Sequence, residues 1–301
     1  MWITDHGSLY AGCTKTYYGS GAMTAIQFIY TTEGFLVAAD GMKKDNKGNV
    51  HSLSAQKIFP VGEPGSATLA YGLAASVQLG RDDDSNEILF DFIKETDRAA
   101  ADTSTASHAD LVSFMKAIAD SVNASLQAAI NTHADLKLPL TLGKKQADDD
   151  PNIIAWAFFG GYFNGTPDYG YIMFRQHSQQ LMEPAVGRQD ITIGTPFGYL
   201  SKPIALGLFH DQDINFNRRV FRLHRTVRTP PAARSLADAL QIAASYLAVC
   251  RRPEAMQFDE AHCADVGGKI RAATITPSNH FQWLPDSEIQ SALAKFETIE
   301  L

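Results

Sequence analysis

Residues 25–39 restrict the possible folds most, because they carry the signals of a complete β-hairpin. The segment AIQFIYTTEGFLVAA has two apolar runs, rich in β-branched and aromatic residues, on either side of the turn sequence Thr32-Glu33-Gly34. Two more strands are predicted downstream, at 57–61 and 66–71. Because a hairpin pairs neighbouring strands in opposite directions, this part of the chain is expected to form an antiparallel sheet.

Hydrophobic periodicity predicts four helices. The clearest covers 107–133, where apolar residues recur at three- and four-residue spacing on one face. That face consists of Leu111, Phe114, Met115, Ile118, Val122, Leu126 and Ile130. A helix interrupted by the charged run at 81–84 is expected over 73–98, a third over about 230–250, and a short one from Asp286.

The order of the predicted elements indicates the fold class. Later strands are expected at 153–160, 169–174, 181–185 and 190–194, and a last hairpin at 269–276 and 280–284. Residues 138–152, which contain two prolines and three consecutive aspartates, are interpreted as a surface loop. The order of strands, two helices, strands, a helix and strands is not the regular alternation of a doubly wound fold. We therefore expect an α+β domain with two antiparallel sheets whose outer faces are covered by helices.

Composition argues against several kinds of partner. Lys and Arg total 26 against 33 Asp and Glu, and the formal charge of -7 disfavours binding to nucleic acid or to anionic membranes. Cys13, Cys250 and Cys263 show neither a disulfide pattern nor the spacing of zinc ligands. No segment has the length and apolarity of a membrane span, and no secretion signal is recognisable. A cytoplasmic protein without a metal or cofactor is expected.

The sharpest functional signal lies in residues 24–59. Thr24 precedes a hairpin that ends in Leu36-Val37-Ala38-Ala39-Asp40-Gly41, and Gln56-Lys57-Ile58-Phe59 follows. This arrangement resembles the proteasome β subunits and the related bacterial peptidase HslV. In that family a catalytic Thr opens the first strand and a Gly-hydrophobic-Ala-Ala-Asp hairpin follows, with the same sixteen-residue step that separates Thr24 from Asp40.

The resemblance extends along most of residues 24–297 and implies the remaining site residues. The family's catalytic Lys corresponds to Lys57, with one residue inserted before it, and the Gly that supplies an oxyanion-hole amide corresponds to Gly72 in Ala70-Tyr71-Gly72-Leu73. Gly267-Gly268 precedes a segment similar to the family's final strand. The implied fold is a four-layer αββα sandwich of the N-terminal-nucleophile (Ntn) hydrolase type, formed by residues 24–301 as a single domain.

The chemistry of such a site requires these residue types to lie together. A Thr hydroxyl is a weak nucleophile, and a free α-amine with a pKa of about 8 can serve as its base near neutral pH. An ammonium such as that of Lys57 favours deprotonation, and a carboxylate such as that of Asp40 holds the ammonium in place. Taken singly, Asp40 would be an ordinary turn residue and Lys57 a surface lysine, so the functional reading rests on their joint spacing.

Two departures from the family pattern affect residues that would support the site. The family's Ser-Gly-Ser aligns with Ile193-Gly194-Thr195, so one hydroxyl near the amine is replaced by Ile and Thr195 is the remaining supporting residue. Before Gly267 the family has an Asp and a Ser. Here Asp265 is one residue out of register and Val266 stands in the place of the Ser.

By this resemblance the chain is a threonine-type endopeptidase that cleaves peptide bonds through an acyl-Thr24 intermediate. Peptides or unfolded proteins are the implied substrates, a self-compartmentalising homo-oligomeric ring is the implied assembly, and an ATP-dependent unfoldase is a candidate partner. Two alternatives stay open: a non-catalytic ring or scaffold subunit, and an amidase of the same fold that acts on small molecules.

Residues 1–23 bear on the mechanism, because only a free amine at Thr24 can act as the base. They are interpreted as an N-terminal extension, which is a propeptide, expression-vector sequence or the result of a misassigned start. Met23 does not favour self-cleavage, since the family normally has Gly at this position. A protein started at Met23 is expected to lose that methionine and begin with Thr24.

Overall fold

A computed structural model of the protein describes residues 25–44, 50–63, 65–75, 78–80, 87–133, 136, 138, 152–194, 196–198, 235–251 and 266–297. These residues form a mixed α+β structure with several antiparallel sheets and a few helices. The fifteen strands in these ranges are β1 (Ile26–Tyr30), β2 (Phe35–Ala39), β3 (Lys43–Lys44), β4 (Val50–Ser52), β5 (Ile58–Pro60), β6 (Leu69–Ala75), β7 (Gln78–Gly80), β8 (Ile88–Asp91), β9 (Asn152–Phe163), β10 (Thr166–His177), β11 (Gln180–Leu181), β12 (Ala185–Gln189), β13 (Pro196–Phe197), β14 (Arg271–Thr276) and β15 (His280–Trp283). The helices are α1 (Phe92–Asp102), a single 3-10 turn (Thr105–Ser107), α2 (Leu111–Thr132), α3 (Leu236–Cys250) and α4 (Asp286–Glu297).

The predicted first hairpin is present as β1 and β2, which pair in register from Ile26 opposite Ala39 to Tyr30 opposite Phe35. The turn is closed by Thr31, whose N–H donates to the Gly34 carbonyl at 2.8 Å. Gly34 has a φ of +146°, and a Cβ there would collide with the Ile275 carbonyl of β14. A residue without a side chain is therefore required at this turn.

Two larger sheets contain most of the strands. The first has five strands in the order β13-β1-β2-β14-β15, so the strand pair near the end of the chain lies beside the first hairpin. The second has six strands in the order β11-β10-β9-β6-β5, with β12 also paired to β10. Its centre is the long antiparallel pair of β9 and β10. Two short hairpins, β3 with β4 and β7 with β8, lie outside these sheets.

Local sequence explains where the helices begin. Asp91 caps α1, because its carboxylate accepts the N–H groups of Ile93 and Lys94. Asp110 and Ser113 form a capping box at the start of α2, each side chain bonding the backbone N–H of the other residue. The start of α3 receives a more distant partner, since the Leu236 N–H donates to Glu33 Oε2 in the turn of the first hairpin at 2.9 Å.

Buried apolar side chains form three clusters. One lies between the first sheet and helices α3 and α4, and includes Ile29, Leu36, Leu247 and Ile289. A second lies between the six-stranded sheet and helices α1 and α2. The third joins inward-facing residues of both sheets, among them Ile26, Phe28, Val37, Ile58, Ala74 and Phe158. In β1, Ile26 and Phe28 belong to the third cluster, while Ile29 and the preceding Ala25 belong to the first, as the two faces of an extended chain require.

The predicted helix over 73–98 is wrong for most of its described residues. β6 continues to Ala75, β7 pairs with β8, and among the described residues of this range only those from Phe92 onward are helical. Leu79 and Phe90 are buried against the second cluster, so tertiary packing fixes this short hairpin. The predicted strand at 190–194 is also absent, because Gly194 adopts a φ of +74° in a turn.

The strand predicted at 181–185 is wrong as well, since residues 182–184 lie between β11 and β12. The other described predictions are confirmed to within a few residues. They include the helix of 111–132 and the last hairpin, which is followed directly by α4. The predicted loop of 138–152 and the first residues of the helix predicted over about 230–250 lie largely outside the described residues. None of the helices in the described ranges combines the length and apolar character needed to span a membrane.

Candidate functional site

The candidate site is centred on Asp40, which directly follows β2. Its side chain is only 1% exposed, and it lies at the end of a strand whose five residues are all buried. The backbone N–H of Asp40 donates to the Ala25 carbonyl at 3.2 Å, which extends the pairing of β1 and β2 by one step. A carboxylate in this position needs hydrogen-bond donors and a compensating charge, because an isolated charge is costly to bury.

Asp40 Oδ1 binds the two groups expected to lie nearest the nucleophile. Lys57 Nζ donates to it at 2.7 Å, and the backbone N–H of Ala25 donates to the same oxygen at 2.9 Å. The Lys57 side chain is 10% exposed and its residue lies just before β5. The structure therefore brings Asp40 and Lys57 together as a nearly buried ion pair beside the first residue of the described chain.

Asp40 Oδ2 binds two further backbone amides, those of Met42 and Gly267, each at 3.1 Å. The contact is reinforced by Gly41, whose N–H donates to the Gly267 carbonyl at 3.0 Å. Gly268 has a φ of +72°, and a Cβ there would collide with the Leu53 carbonyl. These contacts fix the segment before β14 to the end of β2.

Gly72 lies next to the ion pair in the middle of β6. It pairs with Ile58 of β5 and with Phe158 of β9, and the N–H of Leu73 donates to the Lys57 carbonyl at 3.3 Å. A Cβ at Gly72 would lie 2.7 Å from Ile26 Cγ2 and 3.2 Å from the Lys57 carbonyl oxygen. Glycine is therefore required for the close approach of β6 to β1, and the use of its amide as an oxyanion donor stays a prediction.

Three of the predicted site residues, Thr24, Thr195 and Asp265, lie outside the described residues. The structure does describe residues adjacent to Thr195 and Asp265 in sequence. Ile193, at the position of a family Ser, is 40% exposed, and the Gly194 N–H donates to the Tyr30 carbonyl at 2.7 Å. Val266, at the position of the other family Ser, is buried in the cluster between the first sheet and α3 and α4.

Sequence reasoning missed the backbone donors to Asp40. The amides of Ala25, Met42 and Gly267 carry no side-chain signature, and they come from segments that are distant in sequence. The Gly267-Gly268 pair was the available signal, because adjacent glycines often mark a close approach of two backbone segments. It indicated a similarity to the family's final strand without indicating the contact to Asp40.

The arrangement can hold a lysine ammonium at a fixed place beside the start of β1. Among the described residues there is no group of three or more His, Cys, Asp or Glu side chains that could hold a metal ion. No protein-family model matches the chain, and no curated protein matches it significantly.

Proposed function

We propose that the protein is a threonine-type peptidase of the Ntn hydrolase class, with Thr24 as its nucleophile. The observation that carries the proposal is the single oxygen of Asp40 that binds both Lys57 Nζ and the Ala25 amide. Residue 24 is bonded directly to Ala25, so the ammonium and the backbone next to the proposed nucleophile are held by one carboxylate. A buried ion pair contributes little net stability, and this favours a role in chemistry.

The proposed architecture is a four-layer αββα sandwich. The three apolar clusters support it, since helices α1 and α2 cover one face of the six-stranded sheet and α3 and α4 cover one face of the other. The remaining faces of both sheets share the third cluster. In this architecture β1, β2, β5 and β6 place the proposed site at one end of the contact between the two sheets.

In the proposed mechanism, Thr24 Oγ attacks the carbonyl carbon of the scissile peptide bond and its proton passes to the free α-amine of Thr24. The family resemblance implies that the backbone amide of Gly72 stabilises the negative charge that develops on the carbonyl oxygen. Because Gly72 pairs with β5 and β9, this role requires its amide to leave the strand pairing when a substrate binds. The C–N bond then breaks, and the leaving nitrogen takes the proton from the α-ammonium. Water hydrolyses the resulting Thr24 ester by the same proton transfers and releases the second product.

Lys57 and Asp40 have supporting roles in this proposal. The positive charge of Lys57 favours the alkoxide form of Thr24 Oγ over the hydroxyl. Asp40 orients Lys57 and offsets its charge, so that the ammonium can lie in a nearly buried position. A ring of identical subunits, peptide or unfolded-protein substrates, and an unfoldase partner complete the proposal, as the family resemblance implies.

The decisive experiment compares three proteins: one started at Met23, one that retains residues 1–23, and one started at Met23 that carries Thr24→Ala. Intact mass and N-terminal sequencing identify the first residue, and fluorogenic peptide amides report hydrolysis. We expect the first protein to begin with Thr24 and to be active, and the other two to be inactive. Hydrolysis by a protein whose residues 1–23 remain attached would show that Thr24 is not a terminal nucleophile.

A second candidate is a non-catalytic ring or scaffold subunit with the same fold. Two observations favour it: the exposed Ile193 and the buried Val266 stand where the family has hydroxyl side chains near the amine. Under this hypothesis the protein started at Met23 also begins with Thr24, but it hydrolyses neither peptides nor small acyl amides. The native mass would then be that of an oligomer, while the hydrolysis assays would show no activity.

A further inference from the structure

Residues 53–56 form the loop that leads from β4 to Lys57, and their side chains are exposed or half-buried. The side chain of Leu53, for example, is 55% exposed. A segment whose side chains lie outside the core gains little from apolar packing, so its position has to be fixed by backbone contacts. This position matters at the candidate site, because Lys57 follows the loop directly.

Two stretches of backbone that are distant from each other in sequence hold the loop. The Leu53 carbonyl accepts the N–H of Lys269 at 2.6 Å. The Ala55 N–H donates to the carbonyl of Gly41 at 2.9 Å. The loop is therefore held from two sides, by the residue that follows Asp40 and by the segment that precedes β14.

The same two stretches also hold the carboxylate that receives Lys57. The Gly41 N–H donates to the Gly267 carbonyl at 3.0 Å, which joins the two stretches to each other. The Gly267 N–H donates to Asp40 Oδ2 at 3.1 Å, while Lys57 Nζ lies 2.7 Å from Oδ1. One set of backbone contacts thus positions both the loop before Lys57 and the partner of its ammonium.

Glycines allow these backbones to lie so close together. Gly268 has a φ of +72°, and a Cβ there would collide with the Leu53 carbonyl. A Cβ at Gly41 would lie 2.5 Å from the Lys269 carbonyl oxygen and 2.9 Å from that of Leu53. Because both obstacles are backbone atoms, a methyl group at either glycine would have to push the loop away from its place.

We propose that Gly268 is a positioning residue of the site, which seats Lys57 against Asp40 by letting the loop of residues 53–56 approach the segment before β14. Gly268 acts through the Leu53 carbonyl and has no part in the chemistry itself. A misplacement of about 1 Å in a catalytic group can cost about a hundredfold in rate. The inference rests on the proposed peptidase function and adds to it a residue that controls the place of the ammonium.

The test compares Gly268→Ala with Gly62→Ala, both in protein started at Met23. Gly62 is a matched control, because its φ is +88° but a Cβ there would meet no described atom within 4 Å. We expect Gly268→Ala to lower kcat by about ten- to a hundredfold with KM changed less than about twofold. Gly62→Ala should change neither constant by more than about twofold. Equal losses of kcat in the two variants would overturn the inference.

The pH dependence of kcat/KM separates a displaced Lys57 from a general loss of folded protein. A nearby ammonium disfavours protonation of the amine that acts as the base, and so lowers the pKa that governs the acidic limb. Moving the ammonium away should shift this limb to higher pH in Gly268→Ala and leave it in place in Gly62→Ala. A lower rate at every pH with an unshifted limb would indicate a structural role alone and overturn the inference.

Hydrogen exchange tests the loop without relying on activity. Peptides that cover residues 53–57 should exchange at least about tenfold faster in Gly268→Ala than in wild type, and at the wild-type rate in Gly62→Ala. If Gly268→Ala does not fold, Gly41→Ala replaces it, since its Cβ meets the same loop without a positive φ. Unchanged exchange would contradict the inference whatever the activity. If the wild-type protein hydrolyses no peptide, the peptidase proposal fails, and faster exchange would still show that the glycine positions the loop.

Discussion

At the residue scale, the site depends on a charge that the fold has removed from water. Asp40 accepts four hydrogen bonds from described residues, and one of these comes from a lysine whose side chain is nearly buried. Removing one member of such a pair leaves the other without compensation, at a typical cost of about 3–5 kcal/mol. Removing both charged groups avoids that cost, so a double variant can separate the structural role of the Asp40–Lys57 pair from its chemical role.

Lys57→Met should lower both the thermal midpoint and the peptidase activity, because Asp40 is then buried without its counter-charge. Asp40→Asn should also reduce both, since an amide cannot offset the ammonium. The double variant Asp40→Asn/Lys57→Met should recover part of the stability lost in Lys57→Met while staying at least about a hundredfold less active than wild type. Thermal melts and kcat/KM measurements on all three decide this, and an active double variant would reduce the pair to a structural role.

Gly72→Ala should destabilise the protein by about 1–3 kcal/mol, because the added methyl would press against Ile26 where β6 approaches β1. Activity should fall as well, since the displaced residues adjoin Ala25 and Lys57. Gly65→Ala is the control, as a Cβ there meets no atom within 4 Å. Urea unfolding of both variants makes the comparison. Equal stability of the two would contradict the packing described at Gly72.

At the element scale, β6 and α1 are joined by a polar contact in which Tyr71 OH donates to Asp97 Oδ1 at 2.6 Å. Burial raises the pKa of Asp97, and the hydrogen bond from Tyr71 partly opposes this shift. Burial also raises the pKa of Tyr71, so the phenol remains the donor. The ionised Asp97 is therefore less favourable in the folded than in the unfolded chain.

The sign of the pH effect follows from that raised pKa. The stabilisation associated with protonated Asp97 is fully present below its unfolded pKa of 3.8 and is lost as the pH rises through the higher folded value. Asp97→Asn cannot ionise, so its stability relative to wild type should increase as the pH is raised from 3 to 7. In protein that keeps Asp97, Tyr71→Phe should make stability fall more steeply as the pH rises. The reason is that it removes the hydrogen bond that opposes the pKa shift of Asp97. Melting temperatures measured between pH 3 and pH 7 test both expectations. If melting temperature depends on pH in the same way in wild type and in Asp97→Asn, the raised pKa of Asp97 is contradicted.

How far the sequence predicts these elements depends on the range of the forces that fix them. The helix of 111–132 was predictable because its apolar stripe and its Asp110 cap are local. The β7–β8 hairpin was not, since Leu79 and Phe90 are fixed by packing against distant parts of the chain. The same division applies to the site: the family resemblance implied the contact of Asp40 with Lys57, whereas the Gly267 amide on Asp40 depends on the placement of β14.

At the scale of the whole molecule, the proposal requires assembly as well as chemistry. Thr24→Ala removes one hydroxyl, a group that is expected to contribute little to packing. The variant should therefore form the same oligomer as wild type without hydrolysing peptides. Native mass spectrometry should give the same whole-number multiple of the subunit mass for both proteins. A monomeric mass for the active wild-type protein would contradict the ring, and retained hydrolysis by Thr24→Ala would contradict the nucleophile.

The contact between Asp40 and Gly267 also has a consequence for the timing of folding. It joins residues that are 227 positions apart, and β14 must insert beside β2 before it can form. Contacts of such long range are made late, after their loop-closure entropy has been overcome. During synthesis, which proceeds from the N-terminal end, the Asp40 carboxylate would thus wait for almost the entire chain to emerge. Under the proposed peptidase function, a nascent chain would in this way remain inactive until its own fold was nearly complete.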